Sequence, residues 1–228
     1  MKINIFKKNS YSDPSLNSNR TEFEVNNWII SEFVAAKLVP AVGVHPFPLN
    51  ELMLMCSAVC YFKPALIFEW GTNIGKSARV FYETIKSFEI NCMIHSIDLP
   101  DDVFHNEHPQ DNRGKLVRGL AEVTLHQADG LTRSFEIADK SGTKENILFF
   151  VDGDHSYETV KSELTAILGH LPNAIVLLHD TFYQSEGAGY NIGPNKAVEE
   201  VLRSERKNYK VISTNTGLPG MTMVYKNR

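Results

Sequence analysis

The sequence predicts an α/β chain: a doubly wound sheet, mostly parallel with an antiparallel closing strand, and helices on both faces. Three observations carry this reading. From about residue 65 onward, short apolar runs alternate with amphipathic segments, the pattern of parallel strands joined by helical crossovers. The last two apolar runs lie close enough to form a hairpin. At 228 residues, 43% hydrophobic and with 13 Phe, the chain can bury a substantial core within the size of one large domain.

Taken in order, residues 1–22 are polar and rich in Ser and Asn, and read as a mobile N-terminal arm. Residues 23–64 hold two segments with helical spacing, "VNNWIISEFVAAKL" and "LNELMLMCSAVCYF". Between them stands "VPAVGVHPFP", whose three prolines forbid a continuous helix. This pair of helices is a candidate cap or homodimer element, with His45 and Phe47 of the link as candidate pocket residues. Residues 65–228 form the main domain. Its predicted strands are "ALIFEW", "CMIHSID", "EVTLHQA", "NILFFVD" and "AIVLLHD", with "GKSARVFYETIKSF", "SFEIADK" and "YETVKSELTAILGHL" as helices between them. "NKAVEEVLRSE" then reads as a helix, and "YKVISTN" and "GMTMVYK" as the closing hairpin. Cys56, Cys60 and Cys92 lie in apolar stretches and read as buried thiols rather than zinc ligands or a disulfide.

A formal net charge of -4, with Lys and Arg scattered, lacks the basic face that a sequence-independent grip on nucleic acid requires. A small-molecule partner is expected instead. The N-terminus has basic residues but no apolar core of signal-peptide length, and no later run approaches a membrane span. The expectation is a soluble cytoplasmic protein with no membrane partner.

In open sheets of this kind, ligands bind outside the carboxyl ends of the strands. Glu69 closes the first predicted strand, Asp98 the second, Asp152 the fourth and Asp180 the fifth, while Asp129 follows the third. A single carboxylate there is ordinarily a helix cap or a turn residue, but so many along one edge predict a polar site.

The first strand runs into "GTNIGKS", residues 71–77. A phosphate-cradling loop has the spacing G-x-x-x-x-G-K-[ST]. Gly71 and Gly75 are one residue too close for it. The dinucleotide fingerprint G-x-G-x-x-G fails as well, because Asn73 stands where the second glycine would admit a pyrophosphate. What remains is Glu69-x-Gly71-x-x-x-Gly75-x-Ser77.

That pattern resembles the S-adenosylmethionine (SAM) loop of class I methyltransferases. It is most similar to the catechol and caffeoyl-CoA type and related small-molecule O-methyltransferases. The resemblance spans roughly residues 49–182 by order and spacing of motifs. It implies a Rossmann-like fold, SAM as cofactor, and methyl transfer to a small-molecule hydroxyl. Gly71 would let the chain turn close to the ligand, Ser77 and the helix N-terminus would hold its carboxylate, and Glu69 would face its amine side. Lys76, with no phosphate to neutralise, reads as a solvated first-turn residue. Asp98, at the end of the next strand, would accept the ribose hydroxyls, and Asp129 and Gly130 would border adenine.

The same resemblance makes Asp152 of "FFVDGDHSYETV" a metal ligand bordering the cofactor, and His155, three residues on, a general base. Histidine suits that task because its unperturbed pKa lies near neutrality. The competing reading makes Asp154 and Ser156 helix caps and His155 a surface residue. "IVLLHDTF" matches the place of two further metal ligands, here His179 and Asp180. Adjacent strand residues point to opposite faces, so both reach one ion only where the strand bends. His179 is a candidate ligand, second base or substrate-orienting residue, and the divalent cation is Mg, Mn or another ion, since imidazole suits softer metals better than Mg.

Two long connections, "DDVFHNEHPQDNRG" and "YQSEGAGYNIGPN", are candidate covers for the acceptor. His105 and His108 in the first read as solvated loop residues. A non-catalytic SAM-binding protein and a P-loop-like NTPase are the rival readings.

Overall fold

The computed structural model describes residues 10–15, 22–103, 109–188, 190, 192–205 and 208–226. Its sheet contains β1 (Leu66–Trp70), β2 (Met93–Asp98), β3 (Val123–Gln127), β4 (Ile147–Val151), β5 (Ile175–His179), β6 (Tyr209–Ser213) and β7 (Met221–Lys226), in the order β3-β2-β1-β4-β5-β7-β6. The first five strands are parallel. Only β7 runs against the others, pairing antiparallel with both β5 and β6. The predicted closing strand is thus β7.

Alternating residues of the central strands feed two apolar layers, because successive side chains of a strand leave opposite faces. Ile67, Ile94, Leu148, Phe150, Leu177 and Met223 lie in the core built with the N-terminal helices α1 (Asn27–Phe33), α2 (Val39–Val42), α3 (Leu49–Phe62) and α4 (Lys76–Ser87). Phe68, Phe149, Val176, Leu178 and Val224 lie in the core under α5 (Gly130–Ser141), α6 (Tyr157–His170) and α7 (Gly193–Glu205). Cys56, Cys60 and Cys92 are free and buried. Among the described residues, no helix is long and apolar enough to cross a membrane.

Two expectations change at the N-terminus. Residues 10–15, placed by composition in a mobile arm, pack onto the domain. The Tyr11 ring lies 5.3 Å from that of Phe33 and 5.5 Å from that of Phe88, and its N–H donates to the Ser87 carbonyl at 2.9 Å. One buried aromatic outweighs the polar residues around it. The first helical segment also runs through Pro40, by way of a π-helical stretch, Val34–Leu38, and ends only at Gly43, where φ is 76°. The wider turn accommodates the missing N–H and the ring of proline, so the break belongs to the glycine.

The chain order reverses between β1 and β4, and their carboxyl ends form the crevice where such sheets bind ligands. Trp70 pairs with Val151 there, so the turn after β1 and Asp152 after β4 emerge side by side.

Candidate active site

The turn from β1 into α4 is built against β4. A Cβ on Gly71, whose φ is 88°, would lie 2.3 Å from the Asp152 carbonyl oxygen. Glycine is required there by that close approach as much as by the backbone angle. The carbonyls of Asn73 and Ile74 accept the N–H groups of Gly114 and Leu116 at 2.8 and 3.0 Å, holding the turn from its other side. No side chain caps α4 at Gly75. A helix that begins without a cap presents its first N–H groups to an anion.

Glu69 and Ser77 lie beneath this turn, bonded to each other. The Ser77 hydroxyl donates to Glu69 Oε2 at 2.9 Å, Ser96 donates to Oε1, and Thr72 and Ser96 are 2.6 Å apart. Burial pushes the Glu69 carboxyl up to about 7, against the two serine hydrogen bonds and with help from Asp152 and Asp98. The pair expected to face amine and carboxylate is therefore the enclosed foot of the turn. Lys76 is likewise not a free solvated residue: its ammonium donates to the His45 carbonyl, which ties the link before α3 to the turn.

Asp98 ends β2 and is buried with Arg113. Arg113 Nε donates to Oδ2 at 3.0 Å and the Leu99 N–H to Oδ1 at 3.1 Å. Arg113 also donates to the Leu99 carbonyl and to Asp101. A carboxylate has about four acceptor positions, so capacity for ribose hydroxyls remains. Asp129 is the exposed N-cap of α5, accepting the Thr132 N–H at 2.8 Å. Gly130 lies against Trp70, whose ring a Cβ would approach to 2.8 Å.

Four strand-end residues converge after β4 and β5. β5 ends at His179, and Asp180 has φ 56°, a bend that brings both neighbours to one side. Among the described residues, Asp152, His179 and Asp180 form a group whose ligand atoms all lie within 4.8 Å of one another. His179 Nδ1 is 2.9 Å from Asp152 Oδ1 and 3.9 Å from Asp180 Oδ2. His155 Nδ1 is 3.2 Å from Asp180 Oδ2. Of its neighbours, Ser156 is the N-cap of α6, while Asp154 closes the turn before it by accepting the Ser156 N–H at 2.7 Å. Those two residues fix the turn, and His155 between them is part-exposed with Nδ1 turned to Asp180.

Several partners of this cluster escaped sequence reasoning. Glu51 on α3 is enclosed, with Oε2 3.1 Å from His179 Nε2 and Oε1 accepting the Gly220 N–H at 2.8 Å. Burial opposes the charge of His179, but Asp152, the Glu51 hydrogen bond and Asp180 outweigh it and push the imidazole up to about 10. Tyr190 donates its hydroxyl to Asp180 Oδ1 at 2.6 Å. It lines a cavity of about 360 Å³ with His155, Tyr157, Glu186 and Ile192. Helical spacing put Glu51 on the buried stripe of Met55, Ala58 and Phe62 and could have flagged it. Arg113 and Tyr190 belong to the two connections expected to cover the acceptor, while His105 and His108 lie outside the described residues. Of the link residues, Phe47 packs edge-on against His179 at 5.0 Å, whereas the His45 side chain is exposed.

Solved structures share this fold. The O-methyltransferase TomG from Streptomyces achromogenes, solved with SAM, superposes with a TM-score of 0.57 at 16% identity over 93% of this chain and 100% of its own. An O-methyltransferase from Bacillus cereus, solved with S-adenosylhomocysteine (SAH), gives 0.56 at 13% identity over 86% and 90%. The methyltransferase PaMTH1 from Podospora anserina, also SAH-bound, gives 0.53 at 17% over 78% of each chain. No curated protein matches the sequence. The profile of a family described as a methyltransferase domain matches residues 68–181, from within β1 to just past Asp180. With its crevice, turn and strand-end acids all inside that span, the chain belongs to the methyltransferase-domain family.

Proposed function

We propose that this methyltransferase moves a methyl group from SAM to a hydroxyl of a small-molecule acceptor, with His155 as general base and a divalent cation at Asp152, His179 and Asp180. The observation that carries the proposal is the meeting of His155 with Asp180 beside that cluster and at the wall of the cavity. The SAM- and SAH-bound O-methyltransferases of the same fold support the cofactor and the acceptor atom.

The residues present fit both groups. The uncapped start of α4 suits the SAM carboxylate, and Asp98 keeps acceptor positions for ribose. For a cation, octahedral donors at about 2.1 Å stand roughly 3 Å apart along an edge. The 2.9 Å separation of His179 and Asp152 matches, and the 3.9 Å to Asp180 closes with a shift under about 1 Å. SAM supplies a methyl on a good leaving group, and a bound cation lowers the pKa of an acceptor hydroxyl.

The chain's own part is positioning and proton transfer. His155 Nδ1 lies 3.2 Å from Asp180 Oδ2, so the tautomer protonated on Nδ1 would leave Nε2 with the lone pair that takes the acceptor proton. The cavity beside it holds the acceptor, which is where orientation contributes most. The test is methyl transfer from SAM to a panel of phenols, sugars and polyketide-like alcohols, with and without chelator. Transfer that falls on chelation supports the proposal. SAM binding without transfer to any hydroxyl would favour a non-catalytic SAM-binding protein.

A further inference from the structure

We propose that Glu51 is a positioning residue: by accepting the Nε2–H of His179 it aims Nδ1 at Asp152 and Asp180, giving a nitrogen-bearing cation site that prefers imidazole-seeking divalent ions to magnesium. The inference rests on the cation reading above and goes beyond it by assigning a role to an α3 residue and a class of ion to the site.

Glu51 accepts the buried Gly220 N–H with one carboxylate oxygen and meets His179 with the other. Its side chain is 1% exposed in the first turn of α3, and among the described residues its one ion-pair partner is His179. A buried carboxylate is costly unless its partners are well placed, and an apolar residue would suit the stripe it shares with Met55 and Ala58 better. Both its oxygens are nonetheless committed. The Gly220 N–H, just before β7, holds Oε1, which leaves Oε2 to face the imidazole.

The imidazole has no other stable setting in this surround. Phe47 lies edge-on at 5.0 Å and Phe150 at 6.3 Å, packing the ring from its sides. Turning the ring over would put carbon atoms where both nitrogens now meet carboxylates. Glu51 therefore determines which nitrogen faces the strand-end acids, the arrangement by which an outer carboxylate fixes a ligand histidine. A nitrogen among oxygen donors shifts preference away from magnesium, which favours oxygen, toward cobalt, iron or zinc.

The test is titration calorimetry of the full chain with Co²⁺, Zn²⁺ and Mg²⁺, for wild type, Glu51→Gln and Glu51→Met. Wild type is expected to bind Co²⁺ and Zn²⁺ more tightly than Mg²⁺. Both variants are expected to lose about 10- to 100-fold in Co²⁺ affinity, with a changed Co²⁺ absorption spectrum and unchanged SAM affinity. Histidine nitrogen NMR of the Zn²⁺-loaded wild type should show the metal on Nδ1 and the proton on Nε2 of His179, a result that does not depend on the variants folding. Wild-type Co²⁺ affinity and spectrum in folded Glu51 variants, or the opposite tautomer, overturn the role of Glu51 alone. Preference for Mg²⁺ overturns the ion class, and a wild type that binds none of the three ions overturns this inference and the cation reading together.

Discussion

His155 and Asp180 meet at 3.2 Å although one leaves the turn after β4 and the other the bend after β5. Two local features set up that meeting. The Asp154 turn and the Ser156 cap fix one side, and the left-handed backbone of Asp180 turns the other toward the crevice. In the mechanism proposed above, Asp180 orients the base and borders the cation at once.

Replacing His155 with Ala should lower kcat by about 10²- to 10⁴-fold, the usual contribution of a general base. SAM affinity should stay near wild type, because His155 lines the cavity beside Tyr157 and Tyr190 and not the β1–α4 turn. Methyl-transfer kinetics with parallel calorimetry checks both, and unchanged turnover removes His155 as the base.

Replacing Asp98 with Asn should affect stability and cofactor together. Arg113 is 8% exposed in its side chain and would lose a buried charged partner, keeping the more exposed Asp101. A cost on the order of 2–4 kcal/mol is expected, with weaker SAM binding. Urea unfolding and SAM titration measure the two effects, and undiminished SAM affinity would count against the ribose role.

Glu69 predicts a pH dependence. Its carboxyl is raised in the fold to about 7 from 4.5, so its contribution to stability is fully present below about 4.5 and is lost as pH rises through about 7. Between about pH 5 and 8, the unfolding free energy of wild type should fall relative to that of Glu69→Gln. Parallel urea-unfolding profiles would contradict this.

Much of the fold was legible because periodicity and strand-end chemistry are local. The seven strands lie where the apolar runs are, and β6 and β7 pair as the hairpin that their separation suggested. The family resemblance also singled out Asp152, His155, His179 and Asp180, and the structure brings their polar atoms close together. What spacing could not show was which polar group meets which. Glu69 and Ser77 share a motif, yet in space they face each other. Glu51 and His179 are 128 residues apart, joined only because α3 covers that face of the sheet. Tyr11 packed where composition suggested an arm, since averages over a segment hide one anchoring ring. Lys76 found its acceptor in a carbonyl of a distant link.

The central claim is that the turn at Gly71–Ser77, with Asp98, holds SAM and not a nucleotide phosphate. Titration calorimetry of the whole chain with SAM, SAH and ATP, each repeated with chelator, tests it most directly. SAM and SAH should bind and ATP should not. Magnesium-dependent ATP binding with no heat from SAM or SAH would contradict it.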